Sequence, residues 1–117
     1  MVLAFALAFA LALPASAQAD GFQVVSDRSA FVQLIENREL RRFGISLRVS
    51  PEGAIEGRAF GTPVTGAWRW ENGYFCRDLF YGGDDLGANC QLVELRGETL
   101  RFTSDRGQGD YADLRLE

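Results

Sequence analysis

The 117-residue chain has no histidine, and all twelve of its basic residues are arginines, so lysine is absent as well. Without histidine there is no Ser-His or Cys-His nucleophile system and no ordinary zinc site. Without lysine there is no Schiff base and no phosphate-binding P-loop. Cysteine is nearly absent too: Cys76 and Cys90 are the two that occur, and they lack the C-x-x-C spacing of a redox pair. If they are joined, no thiolate remains, and catalysis is left to carboxylates, hydroxyls and arginine. The expectation is a non-enzymatic protein that uses no cofactor and no metal. Acidic residues outnumber basic ones, 16 to 12, for a formal net charge of −4. Nucleic acid is thereby disfavoured as a partner, because its phosphates demand a basic face. An anionic membrane surface is disfavoured on the same ground.

Apolar runs are short with one exception, in "MVLAFALAFALALPASAQAD". Val2 to Leu13 is apolar, Pro14 breaks it, and Ala15 and Ala17 give the small-residue pattern of a secretory cleavage site. The run is shorter than the roughly 20 apolar residues of a membrane span. The reading is a signal peptide over residues 1–17, a single domain over 18–117, and export to the periplasm or beyond. In an exported chain an even pair of cysteines is most simply one disulfide, here Cys76 with Cys90. It closes a loop of about 15 residues, worth roughly 3 kcal/mol in the chain-entropy model.

After the leader the apolar period is first helical and then alternating. In "VVSDRSAFVQLIENREL", Phe31, Leu34 and Ile35 recur at three and four, Ser26 is the expected N-cap, and Asp27 to Asn37 is the expected helix. From Glu39 onward strands and turns repeat. Pro51 and Gly53 suit a three-residue hairpin loop, which sets Val49 opposite Ile55 and Leu47 opposite Gly57. Asn72-Gly73 suits a two-residue type I′ hairpin, which pairs Trp70 with Phe75, Arg69 with Cys76 and Trp68 with Arg77. The disulfide places Phe75 beside Gln91 and Arg77 beside Asn89. "LRGETL" sets Leu95 against Leu100 and Val93 against Phe102, "DRGQGD" reads as a polar loop, and "YADLRLE" as the last strand.

These registers agree with one another. One face collects the isoleucines, leucines, valines and tryptophans; the other collects charges such as Arg48, Glu56, Arg69, Arg101 and Asp113. The expected architecture is mostly β: an N-terminal helix and a seven-strand antiparallel meander that curves strongly or closes into a small barrel, with the helix as cap or plug. Gly57, Ala59 and Gly61 are small on the apolar face, one strand from Trp68 and Trp70, and leave room for the indoles.

Arg77 breaks the apolar face. Beside Trp68, Asn89 and Gln91, its planar fork is suited to a ligand carboxylate or phosphate; alternatively the strand reaches the rim there and Arg77 snorkels to water. A second candidate is the loop "YGGDDLG", with Tyr81, Asp84 and Asp85 as an interaction surface. Neither it nor "SDRGQGD" has the alternating oxygen-ligand spacing of a calcium loop. The functions weighed are therefore a periplasmic module holding a small anionic or amphipathic molecule near Arg77 and Trp68, and a protein-interaction or inhibitor-like module acting through residues 81–87.

Four elements, W-x-W (Trp68–Trp70), G-Y-F-C-R (Gly73–Arg77), N-C-Q-L-V (Asn89–Val93) and F-T-S-D (Phe102–Asp105), bear a further likeness. Together they resemble a group of short exported bacterial proteins commonly called dihydrodipicolinate reductase, over the region from the helix to the C terminus. The name implies an NAD(P)H-dependent step of lysine synthesis, which rests on a dinucleotide-binding βαβ fold with paired histidines and a lysine. This chain has neither residue type and no G-x-G-x-x-G after a strand. The resemblance thus extends to the group and its name, and stops short of the residues that the reaction needs.

Overall fold

Turn chemistry sets the frame. A computed structural model of the chain describes residues 21–117, so the expected signal segment lies outside the described residues. Asn72 and Gly73 both take positive φ, 51° and 87°, as a type I′ turn requires. They join β5 (Thr62–Glu71) to β6 (Tyr74–Tyr81) with Trp68 across from Arg77 and Trp70 across from Phe75. At the Pro51 turn, β3 (Ile45–Val49) meets β4 (Ala54–Ala59) with Val49 across from Ile55; the Ser50 amide donates to the Ala54 carbonyl at 2.9 Å. Beyond β6 come β7 (Asp84–Arg96) and β8 (Thr99–Thr103), then β9 (Tyr111–Leu116). The pairs Val93–Phe102 and Leu95–Leu100 hold as the turn chemistry requires.

The expected seven-strand meander is thus β3 to β9, and two short strands add to it. One is β2 (Leu40–Arg42), which pairs β3 on one side and β9 on the other, with Leu40 across from both Leu47 and Leu116. Because β8 also pairs β7, strands β2 to β9 close into an eight-strand antiparallel barrel. The other is β1 (Gln23–Val24), which takes up the edge of β7 beyond the point where β6 leaves it. Closure removes the free edges that an open sheet would expose.

Side chains alternate through the wall. Leu40, Val49, Ile55, Phe75, Val93, Leu100, Phe102, Leu114 and Leu116 point in and are buried, whereas Arg48, Glu56, Arg58, Arg69 and Arg115 face water. A membrane-spanning barrel carries its apolar band outside; here it is inside. Among the described residues no helix is long and apolar enough to cross a membrane.

The helix α1 (Arg28–Ile35) closes one end. Its N-cap is Asp27, whose carboxylate accepts from the Ala30 amide at 2.8 Å. This corrects the expectation of Ser26, one residue earlier: Asp27 is the extended residue whose side chain reaches the third helical amide. The helix stops at Ile35, short of the expected Asn37, and Asn37 itself is left-handed with φ 59°. Phe31 and Ile35, one turn apart, form the buried stripe. Phe31 is fully enclosed, its ring centroid 5.1–5.3 Å from those of Trp68, Trp70 and Phe75.

The indoles therefore pack beneath α1 and not over small residues of the neighbouring strand, as had been expected. Gly57 offers no such room: a Cβ there would collide with the Ser46 carbonyl oxygen, and one at Gly66 with the Asp78 carbonyl oxygen. Both glycines sit where the strands bend closely over one another, the usual reason for glycine inside a strand.

Candidate binding site

With α1 plugging the end that holds the Asn72-Gly73 turn, the opposite end of the barrel stays open. A cavity of about 340 Å³ runs in from it, within the range of small-molecule sites. One wall is apolar, built from Leu47 and Ile55 of β3 and β4 together with Leu114 of β9. Across from it, polar groups come from β6, β7 and the segment α2 (Ser104–Gly107): Arg77, Gln91 and Ser104; Arg42 of β2 and Asp110 also line the cavity. An eight-strand barrel is wide enough either to be filled by side chains or to hold one small molecule. In this one the plug fills one half and leaves the other half free.

Arg77 is the charge on the inner wall of β6. Its Nη1 donates to the Gly87 carbonyl at 2.7 Å. Its Nε is buried and without a partner, and among the described residues Arg77 makes no ion pair. Burial pushes the guanidinium below its ordinary pKa, with neighbouring Asp78 opposing the shift. A half-buried cation with an unused donor and no ion pair is costly unless something else completes it. The irregularity in β6–β7 pairing between Asp78 and Phe80 supplies the one partner it has. There Gly87 takes φ 83°, and its amide donates to Asp85 Oδ1 at 2.8 Å. Asp85 thereby shapes the bulge that turns the Gly87 carbonyl toward Arg77.

The other residues singled out in the sequence divide between two places. Gln91 lines the cavity, and its Nε2 donates to Ser104 Oγ at 3.2 Å. Trp68 is buried at the α1 end, where its Nε1 donates to the Ser50 carbonyl at 2.8 Å; it does not line the cavity. Asn89 is engaged with Asp105: its Nδ2 donates to Asp105 Oδ1, and its Oδ1 accepts from the Asp105 amide, both at 2.8 Å. Tyr81, Asp84 and Asp85 lie on the β6–β7 hairpin at the open end, with Tyr81 across from Asp84. Cys76 and Cys90 are joined.

Sequence reasoning missed the clamp that Asn89 makes. Asp105 and Arg106 take left-handed φ of 55° and 53°, followed by Gly107 at 92°, so α2 is a left-handed turn at the cavity mouth. Non-glycine residues adopt this conformation only when their surroundings impose it, and Asn89 imposes it through both hydrogen bonds. No local signal in "SDRGQGD" marks it. Among the described residues no cluster of acidic, histidine or cysteine side chains is arranged to hold a metal. Compared with known protein families, curated proteins and solved structures, the chain matches none.

Proposed function

We propose that this chain is an exported binding module that holds one small amphipathic anion in the open half of its barrel, with Arg77 on the anionic group. The observation that carries the reading is the pairing of an apolar cavity with one half-buried arginine whose Nε has no partner. At ~30 Å³ per non-hydrogen atom the cavity takes on the order of ten such atoms, the size of a medium-chain carboxylate. A carboxylate against the guanidinium would form charge-assisted hydrogen bonds while its chain lies on the leucine wall. Trp68, the cross-strand partner of Arg77, forms the floor under the plug and is not a ligand contact.

The test uses anilinonaphthalene sulfonate, an apolar dye with one anionic group, and decanoate as competitor. Dye fluorescence rises with wild type, decanoate reverses it, and Arg77→Met weakens both by roughly tenfold or more, the scale of one lost charge-assisted hydrogen bond. Equal dye binding by Arg77→Met and wild type would remove Arg77 from the account.

The second reading, a protein-interaction module working through residues 81–87, draws support from the exposure of Asp84 and Asp85 at the hairpin tip. Capture of a protein partner that is lost on Asp84→Ser but kept in Arg77→Met would favour it. The reductase implied by the resemblance is the third, and NADPH binding and turnover by purified protein is its test.

A further inference from the structure

The open end of the barrel carries an unusual set of side chains. Phe43 on the β2–β3 turn is 93% exposed, and Phe60 on the β4–β5 turn is 67% exposed. Phe80 and Leu86, on the β6–β7 hairpin, are also exposed. These three hairpins are neighbours at the mouth. The Phe60 amide donates to the Gly44 carbonyl at 2.7 Å, and the Gly82 amide donates to the Pro63 carbonyl at 2.8 Å. Phe60 also occupies a left-handed position, φ 51°, in a two-residue turn where asparagine or glycine is the favoured choice. A bulky apolar residue is thus held at a strained position, one part of its ring lying over Gly44 and the rest open to water. Elsewhere the barrel wall is charged, with Arg48, Glu56, Arg69 and Arg115 exposed.

We infer that this rim docks the open end of the barrel on a zwitterionic lipid surface. The inference goes beyond the binding reading and does not require it. Charge selects the occupant. Exposed Arg42 on the β2–β3 hairpin and exposed Arg58 on the β4–β5 hairpin neighbour exposed Asp84 and Asp85 on the β6–β7 hairpin, a rim of both signs that matches headgroups carrying both signs, whereas the net charge of −4 opposes an anionic surface.

Flotation of the full protein with phosphatidylcholine vesicles tests the inference. Wild type floats with the vesicles, and partitioning does not rise when phosphatidylglycerol is mixed in. The double variant Phe43→Ser/Phe60→Asn loses roughly tenfold or more, the scale of withdrawing apolar area from the lipid. Asn suits the left-handed turn position, so folding is retained and is verified by the thermal transition. Val24→Ser, an exposed apolar residue away from the mouth, partitions as wild type. Arg77→Met does so as well, which separates this inference from the dye-binding test. The inference is overturned if wild type stays at the bottom of the gradient, or if the double variant floats equally. It is also overturned if binding requires phosphatidylglycerol, or if wild type without lipid is a dimer that the double variant abolishes.

Discussion

Cys76 and Cys90 are direct cross-strand partners on β6 and β7, and the same register that joins them puts Arg77 beside Asn89 and Phe75 beside Gln91. The covalent link and the polar wall of the cavity are therefore one piece of geometry. Removing the link with Cys76→Ala/Cys90→Ala is expected to lower unfolding free energy by about 3 kcal/mol, read as a lower urea midpoint with a slope equal to or slightly above that of wild type, because the unlinked unfolded chain is the more expanded. A shift under about 1 kcal/mol would mean that the hydrogen-bonded ladder alone fixes this register.

Phe31 is the plug. Its ring meets Trp68, Trp70, Phe75 and Phe102, and truncation leaves a cavity that four rigid aromatic rings cannot readily fill. Phe31→Ala is expected to cost about 3–5 kcal/mol, and guanidinium denaturation measures it. A near-neutral result would contradict the role of α1 as the closed end of the barrel.

Acid sensitivity follows from the outer wall. Arg101 donates to both carboxylate oxygens of Asp113, at 2.8 and 3.0 Å, and these hydrogen bonds hold the Asp113 carboxyl below its ordinary pKa against a smaller opposing effect of burial. Glu39 is held low in the same sense, chiefly by the Ser46 hydroxyl. A carboxyl whose pKa is lower in the folded state contributes stability that is present above its unfolded value and is lost as pH falls through the folded one. Asp113→Asn is therefore expected to be the less stable protein at pH 7 and to converge on wild type as pH falls below the ordinary carboxylate range. Melting temperatures across that range check it; a constant gap at all pH values would assign the loss to packing.

Much of the barrel is legible in the sequence because its turns are chemically explicit. Asn72-Gly73 and Pro51 with Gly53 each admit few conformations, and each fixes a register across two strands. The disulfide carries the register on to β7. What is not legible is what depends on distant partners. Leu40–Arg42 is three residues long, one buried residue followed by two exposed ones as in any loop, and it is a strand because Leu116, at the far end of the chain, lies beside Leu40. The left-handed turn at Asp105 and Arg106 depends on Asn89 in the same way.

The site shows the same division. The Asn-Gly register puts Arg77 on the inward side, and it does line the cavity. Trp68 shares that face and is the direct cross-strand partner of Arg77, yet its indole packs on Phe31 of α1, a contact with a distant element that residue alternation does not encode. The Phe43 and Phe60 rim escapes a reading by periodicity altogether, because both residues sit in turns, where alternation carries no information about facing.

The most direct measurement of the central claim is the ¹⁵N–¹H resonance of the Arg77 Nε, assigned by its loss in Arg77→Met and followed during titration with decanoate and with decanol. A saturable shift of that resonance is expected with decanoate, and a much weaker or absent one with decanol, which has the chain but not the charge. A cavity that takes up either compound while the Arg77 Nε resonance stays still would contradict it.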